Sequence, residues 1–269
     1  MTRRQGDRET GREVPSDGDL SVSASPRPRV PVSPNLRVLL WDLDGTLVRG
    51  KRFGTFKDYT APMLESVFGT SGSLREMVVS GMTDLQIVEE ALRCAGITRE
   101  HISERKDELR RCYIKEMKRA IADGAHVIEV IPGAREVLEA VDEHPRYRSA
   151  LLTGNIELAA HLKVEATGLA KYFTLPGAFG DESFDRRDLP AFAAERINRH
   201  LGVELAPEKF IVVGDTPNDV ACARHYGARV IGVGTGRVHS VDELRACKPD
   251  AFVANLQDVD LFMSTLEAL

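Results

Sequence analysis

The sequence predicts an α/β protein: a doubly wound parallel sheet carrying an inserted α-helical domain. Three observations predict it. Val38-Leu39-Leu40-Trp41, Ala150-Leu151-Leu152 and Phe210-Ile211-Val212-Val213 are short apolar runs bounded by turn residues, the pattern of strands buried on both faces of a parallel sheet. Helix-patterned segments alternate with strand-like ones after residue 130, which favours a doubly wound arrangement. Finally, about a hundred residues separate the first two runs, too many for one crossover connection.

Residues 1–34 hold Arg, Asp, Glu, Ser, Gly and Pro with almost no large apolar side chains. Burial there cannot offset the entropy of ordering, so a disordered tail is expected. Its acids (Asp7, Glu9, Glu13, Asp17 and Asp19) speak against a transit peptide. The sheet domain is expected over 35–48 and 130–269, and the helical insertion over 49–129.

Within the insertion a first helix is expected over 56–68. Thr83-Asp84-Leu85-Gln86 has the spacing of a capping box, with Leu85, Val88 and Leu92 on one face. Thr98 caps a further helix, whose stripe runs through Ile102, Leu109, Tyr113, Met117 and Ile121. The chain returns near Pro132-Gly133 into a helix reaching Val141. Next come a helix over 155–166, a short apolar piece at Tyr172-Phe173 and a helix over 189–201. The strand ending at Gly214 feeds a helix beginning at Pro217. Strands over 229–233 and 251–253 and a closing helix over 256–266 complete the chain.

Each of the three apolar runs ends on residues fit for phosphate chemistry. The first enters Asp42-Leu43-Asp44-Gly45-Thr46, the second Thr153-Gly154-Asn155, and the third Gly214-Asp215-Thr216-Pro217-Asn218-Asp219. Ligands of open α/β sheets sit beyond the carboxyl ends of the strands. One crevice should therefore receive three carboxylates and a hydroxyl, the makings of metal-assisted phosphoryl transfer. Gly154 and Asn155 are expected to offer backbone N–H groups at a helix start, where anions bind well.

These motifs, with an arginine at 186 or 187 between the second and the third, resemble the haloacid dehalogenase-like superfamily in its phosphatase and phosphomutase branch. The layout is similar to that of phosphoglycolate phosphatases, with a Rossmann-like core and an α-helical cap. The resemblance implies Asp42 as nucleophile, forming an aspartyl-phosphate, and Asp44 as the acid and base for the leaving group and water. It implies Mg²⁺ held by Asp42, Asp215 and the Asp44 carbonyl, since this ion prefers oxygen ligands. Thr153, Gly154, Asn155 and a cation would hold the phosphoryl group. Relatives commonly show Lys-Pro for that cation, whereas this chain has Phe184-Asp185-Arg186-Arg187. Arg186 is favoured because Phe192 then falls where relatives often place an aromatic. Asp219 would orient the metal's surroundings through hydrogen bonds.

Blander readings compete. Thr153 and Asn155 also suit a helix start, and Thr216-Pro217-Asn218-Asp219 is a good generic one. Arg49, Lys51 and Arg52 form either solvated surface or a contact for a second anionic group of the substrate. His101, His126, His161 and His225 lack metal-ligand spacing and are assigned nothing.

A charged fraction of 29% and a hydrophobic fraction of 42% over 269 residues are ordinary for a globular enzyme. The net charge of −5 argues against a nucleic-acid surface. Cys94, Cys112, Cys222 and Cys247 form no CxxC pair, so free thiols and a cytoplasmic location are expected. No apolar stretch is long enough for a membrane span. The expected activity is a Mg²⁺-dependent phosphatase acting on a small phosphorylated metabolite. A phosphomutase using the same aspartyl-phosphate and a non-catalytic module phosphorylated at Asp42 are the alternatives, and oligomeric state is not readable.

Overall fold

The computed structural model describes residue 33 and residues 35–269; the tail expected over 1–34 lies outside the described residues except for Ser33. The first apolar run forms β1 (Arg37–Trp41), the second ends β4 (Tyr147–Thr153) and the third lies in β6 (Phe210–Gly214). With β5 (Ala178–Phe179), β7 (Arg229–Val233) and β8 (Ala251–Val253) they make a six-stranded sheet of order β5-β4-β1-β6-β7-β8, every pairing of which is parallel.

Strand alternation divides the core between two faces. Leu39, Trp41, Ile211 and Val213 point to one face, covered by α5 (Ala134–Glu143) and α10 (Val259–Ala268). Val38, Leu40, Phe210 and Val212 point to the other, covered by α7 (Leu189–Leu201) and α8 (Pro217–Tyr226). Trp41 shows how such a site is satisfied. Its ring stacks on Phe262 at 5.7 Å between centroids, and its indole N–H donates to Ser149 Oγ at 3.0 Å, the partner a buried polar atom requires.

The stretch between the first two motifs begins with β2 (Val48–Gly50) and ends with β3 (Ile128–Val130), which pair antiparallel as a short ribbon. Between them lie α1 (Thr55–Phe68), α2 (Asp84–Leu92), α3 (Arg99–Glu104) and α4 (Lys106–Ala122). Their apolar faces share a core of their own, including Tyr59, Leu64, Leu85, Val88, Leu109 and Met117. The expected boundaries at 48/49 and 129/130 fall within the two ribbon strands.

Several details differ from the sequence expectation. The stripe from Ile102 to Ile121 is two helices, broken at Arg105, whose guanidinium turns to the Val67 carbonyl and to Glu108. The helix expected from 155 starts at Glu157, because residues 153–156 are committed to the site loop. The Tyr172-Phe173 piece lies at a 3₁₀ turn, Ala170–Tyr172. The edge strand is instead Ala178–Phe179, paired with Leu152 and Thr153. The closing helix starts at Val259, capped by Asp258. A short helix, α9 (Val241–Ala246), was not anticipated, although Ser240 and Glu243 close a capping box at its start.

Candidate active site

The pairing of β1 with β6 sets Trp41 beside Val213. Asp42 and Asp215 therefore leave adjacent strand ends together, and the Asp42 N–H still donates to the Val213 carbonyl at 2.9 Å. Asp219 joins them from the first turn of α8, held by a capping box: its carboxylate accepts from the Thr216 backbone at 2.9 Å and hydroxyl at 2.7 Å. Ligand oxygens of Asp42, Asp215 and Asp219 all lie within 4.8 Å of one another.

The turn after Asp42 serves this cluster. Thr46 donates its hydroxyl to Asp215 Oδ1 at 3.0 Å. Gly45 has φ +93°, and a Cβ there would fall 2.4 Å from Asp215 Oδ2. Glycine is required at that place both for its conformation and for the close approach.

One cation faces three carboxylates. Arg186 sits in a 3₁₀ turn before α7, and its Nη2 donates to Asp42 Oδ1 at 2.7 Å and Asp219 Oδ1 at 2.5 Å. Arg187 is exposed and ion-paired with its neighbour Asp185 at 2.6 Å. Of the two candidates, only Arg186 is brought to the carboxylates. Burial pushes the Asp42 carboxyl up to about 7 against the pull of Arg186. Burial, with Asp42 and Asp219 adding to it, drives Asp215 well above the usual carboxylate range. Such a cluster lacks positive charge. Three buried oxygen donors with one guanidinium among them fit a hard divalent cation.

Asp44 behaves differently. Its carboxylate is half exposed toward the cavity and stands apart from the cluster, with Oδ2 accepting from Lys163 Nζ at 2.5 Å and Asn155 Nδ2 at 2.8 Å. Burial acts upward on its carboxyl, but Lys163 and Asn155 outweigh it and hold Asp44 below the usual range. Lys163 also donates to Asn155 Oδ1 at 2.7 Å, and Asn155 Nδ2 donates to Thr153 Oγ1 at 2.7 Å. A continuous polar chain thus joins Lys163, Asp44, Asn155 and Thr153.

The expectation for Asn155 needs correction. Its backbone N–H is not at a helix start; it donates to Thr153 Oγ1 at 3.3 Å, two residues before α6 (Glu157–Ala166). The side chain, rather than the backbone, is what Asn155 brings to the site. Asp42, Asp44, Thr153, Gly154, Asn155 and Arg186 all line one cavity of about 480 Å³, while Asp215 and Asp219 lie outside its lining.

Sequence reasoning missed Lys163, read Asp84 within the capping pattern of Thr83 and assigned His126 nothing; all three line the same cavity. Lys163 carried a signal: Ala159, Ala160, Lys163 and Val164 share the buried face of α6, and a lysine on such a stripe needs a partner. Asp84, at the start of α2, accepts from the Ile156 N–H at 2.7 Å. Burial pushes its carboxyl up to about 7, against the pull of that bond. His126 Nδ1 lies 2.8 Å from Thr55 Oγ1. Burial, then Lys163, holds its imidazole below the usual value. The docking of the helical insertion onto the sheet domain is what brings Asp84 and His126 to the cavity, and no periodicity encodes that docking.

The insertion is tied to the sheet domain beside the cavity by backbone and side-chain contacts. The Asp84 N–H donates to the Gly154 carbonyl at 2.7 Å and the Leu85 N–H to the Gly180 carbonyl at 3.2 Å. Thr83 Oγ1 donates to the Ser183 carbonyl at 2.9 Å. Arg110 pairs with Asp181 at 2.6 Å.

Comparison with known proteins shows the family. Residues 39–224 match the family model described as haloacid dehalogenase-like hydrolase. The chain is 33% identical over 131 residues to the probable phosphatase IndB of Dickeya dadantii, covering 48% of this chain and 54% of IndB. It is 26% identical over 230 residues to phosphoglycolate phosphatase 1 of Pseudomonas aeruginosa, covering 83% of this chain and 78% of that one. The match thus spans about half the length of IndB. Among solved structures, a predicted phosphatase from Clostridium acetobutylicum superposes with a TM-score of 0.61 at 20% identity, covering 87% of this chain and 99% of the other. Among the described residues, no helix is long and apolar enough to cross a membrane.

Proposed function

This chain belongs to the haloacid dehalogenase-like hydrolase family, and on that footing we propose that it is a Mg²⁺-dependent phosphatase. It hydrolyses a small phosphorylated metabolite through an aspartyl-phosphate on Asp42. The observation that carries the reading is the Asp42 carboxylate, set between Arg186 at 2.7 Å and the Asp215–Asp219 pair and opening on the cavity that Asp44 and Thr153 also line.

Asp42 attacks phosphorus, and the bond from phosphorus to the alcohol oxygen breaks. Asp44 gives that oxygen a proton. The arriving phosphate is anionic, and a like charge beside Asp44 raises its proton affinity. In the second step Asp44 takes a proton from water, whose oxygen attacks phosphorus, releasing inorganic phosphate and free Asp42. Arg186 and the Thr153 hydroxyl hold the phosphoryl oxygens throughout, a preorganised electrostatic arrangement. Asp42, Asp215 and the Asp44 carbonyl would hold Mg²⁺, with Asp219 orienting its surroundings; the ion offsets repulsion between the nucleophile and the phosphate.

Phosphate release from a panel of phosphorylated metabolites, with Mg²⁺ and after chelation, tests this. Release that stops with chelator and returns with Mg²⁺ is the expected result. No release from any ester, or isomerisation of a sugar phosphate without release, would overturn it.

A further inference from the structure

The cavity is larger and more apolar than a short phosphorylated acid requires. A volume of about 480 Å³ falls in the range of about 300–1,000 Å³ typical of pockets that bury drug-sized ligands, well beyond the needs of a two-carbon phosphate ester. Away from Asp42 the walls include Phe56, Met77, Met82 and Ile87. At the rim, Phe53 and Val78 are 68% and 69% exposed, the two most exposed large hydrophobics among the described residues. Exposed apolar side chains gathered at the mouth of one cavity mark a binding surface, where single scattered ones would mean nothing.

The same wall carries polar groups without work. Arg49, on β2, has a buried Nε with no hydrogen-bond partner, and it forms no ion pair among the described residues. Its neighbours on the lining are engaged elsewhere: Arg52 with Asp58, Lys57 with the Arg75 and Met77 carbonyls, Arg237 with the Gly50 carbonyl. His126 has one ring nitrogen on Thr55 and the other, Nε2, buried and unpartnered. A buried polar group left without a partner is costly, so such groups normally meet something.

We propose that this wall recognises the alcohol part of the substrate, and that the substrate is a phosphate monoester of a bulky, largely apolar alcohol bearing a carboxylate, which the Arg49 guanidinium receives. The apolar body lies between Phe56 and Met82, and the carboxylate neutralises the lining guanidinium that has no partner among the described residues. This rests on the phosphatase reading for the identity of the phosphate group, but its test does not need turnover.

The test is calorimetric binding of three phosphonates, which cannot be hydrolysed, to the whole chain with Mg²⁺ present: 4-carboxybenzylphosphonate, benzylphosphonate and phosphonoacetate. The first is expected to bind at least tenfold tighter than either other. Arg49→Ala is expected to erase most of its advantage over benzylphosphonate, and Arg49→Gln, which preserves bulk, repeats the test with folding checked by melting. Phosphonoacetate binding as tightly as the carboxybenzyl compound would overturn the size argument. An undiminished carboxybenzyl preference in both Arg49 variants would overturn the recognition argument. A protein that shows the expected order yet releases no phosphate from any ester breaks the proposed function alone.

Discussion

At the sheet end of the cavity, Asp42, Asp215, Asp219 and Arg186 are almost wholly buried and come from strand ends and the turns beyond them. Their spacing is dictated by ladder register and by backbone caps such as Thr216. At the insertion end, Arg49, Tyr59, Asp84 and His126 are gathered from a ribbon strand, two helices and a loop. They are placed by side-chain packing, such as the Tyr59–His126 contact at 5.2 Å, and by the docking bonds to residues 154, 180 and 183. The first end is fixed by the sheet and suits chemistry that never changes. The second can vary residue by residue without disturbing the sheet, which is where selectivity can be set.

The two ends should therefore respond differently to substitution. The largest effect is expected at the nucleophile: Asp42→Asn should lower kcat at least about a thousandfold, because an amide is a poor nucleophile and a poor metal ligand. Retention of more than a few per cent of activity in purified protein would remove Asp42 from that role. Arg186→Ala should cost about 3–4 kcal/mol, or two to three decades in kcat/KM, with Arg186→Lys recovering part of it. Full activity in the alanine variant would place the phosphate-binding cation elsewhere.

Lys163 tests the junction between the two ends. Lys163→Met should reduce kcat by about ten- to a hundredfold with little change in KM, as expected for a partner that orients a reacting group. A change confined to KM would make Lys163 a substrate contact instead.

Asp84 gives a stability effect. Its carboxyl lies near 7 in the folded chain against an ordinary 3.8, so the folded state holds its proton longer. The resulting stability is present below about pH 4 and is lost as pH rises through about 7. Asp84→Asn keeps an acceptor for the Ile156 N–H and abolishes the ionisation. Urea midpoints of variant and wild type should diverge between pH 4 and 7, the variant gaining about 1–3 kcal/mol by pH 8. Parallel curves would show that Asp84 is readily ionised in place. The smallest effect belongs to Arg187→Ala, which should stay within about 0.5 kcal/mol in stability and leave kcat/KM nearly unchanged; a crippled enzyme would exchange the roles of the two arginines.

How much of this was legible in the sequence follows the same division. The parallel strands, the motif at each strand end and the helix over 189–201 could be read because each depends on a contiguous pattern: apolar run, turn residue, capped helix start. The preference for Arg186 over Arg187 came from the position of Phe192 and not from the turn itself, since both arginines occupy one exposed-looking polar turn and only packing against α8 buries the first. Asn155 was read by its backbone and used by its side chain. Asp84 was absorbed into the capping box read at Thr83–Gln86, of which only the Thr83 half forms, Gln86 turning to Glu90 instead, and that pattern hides the second task of Asp84. His126 and Tyr59 become neighbours across 67 residues, a relation that no periodicity encodes.

The apolar core of the insertion is completed by Ile156 and Ala159, which belong to the loop and helix following Thr153. The helical layer and the sheet therefore own part of their interior in common. Excising the helices would strand Ile156 and Ala159 in water beside the phosphate loop, and loosening that loop would hollow the helical layer. The two parts are therefore expected to unfold as one cooperative unit, seen as a single coincident transition by different probes, so a substitution that weakens the selective half of the molecule should also draw on the thermal reserve of the catalytic half.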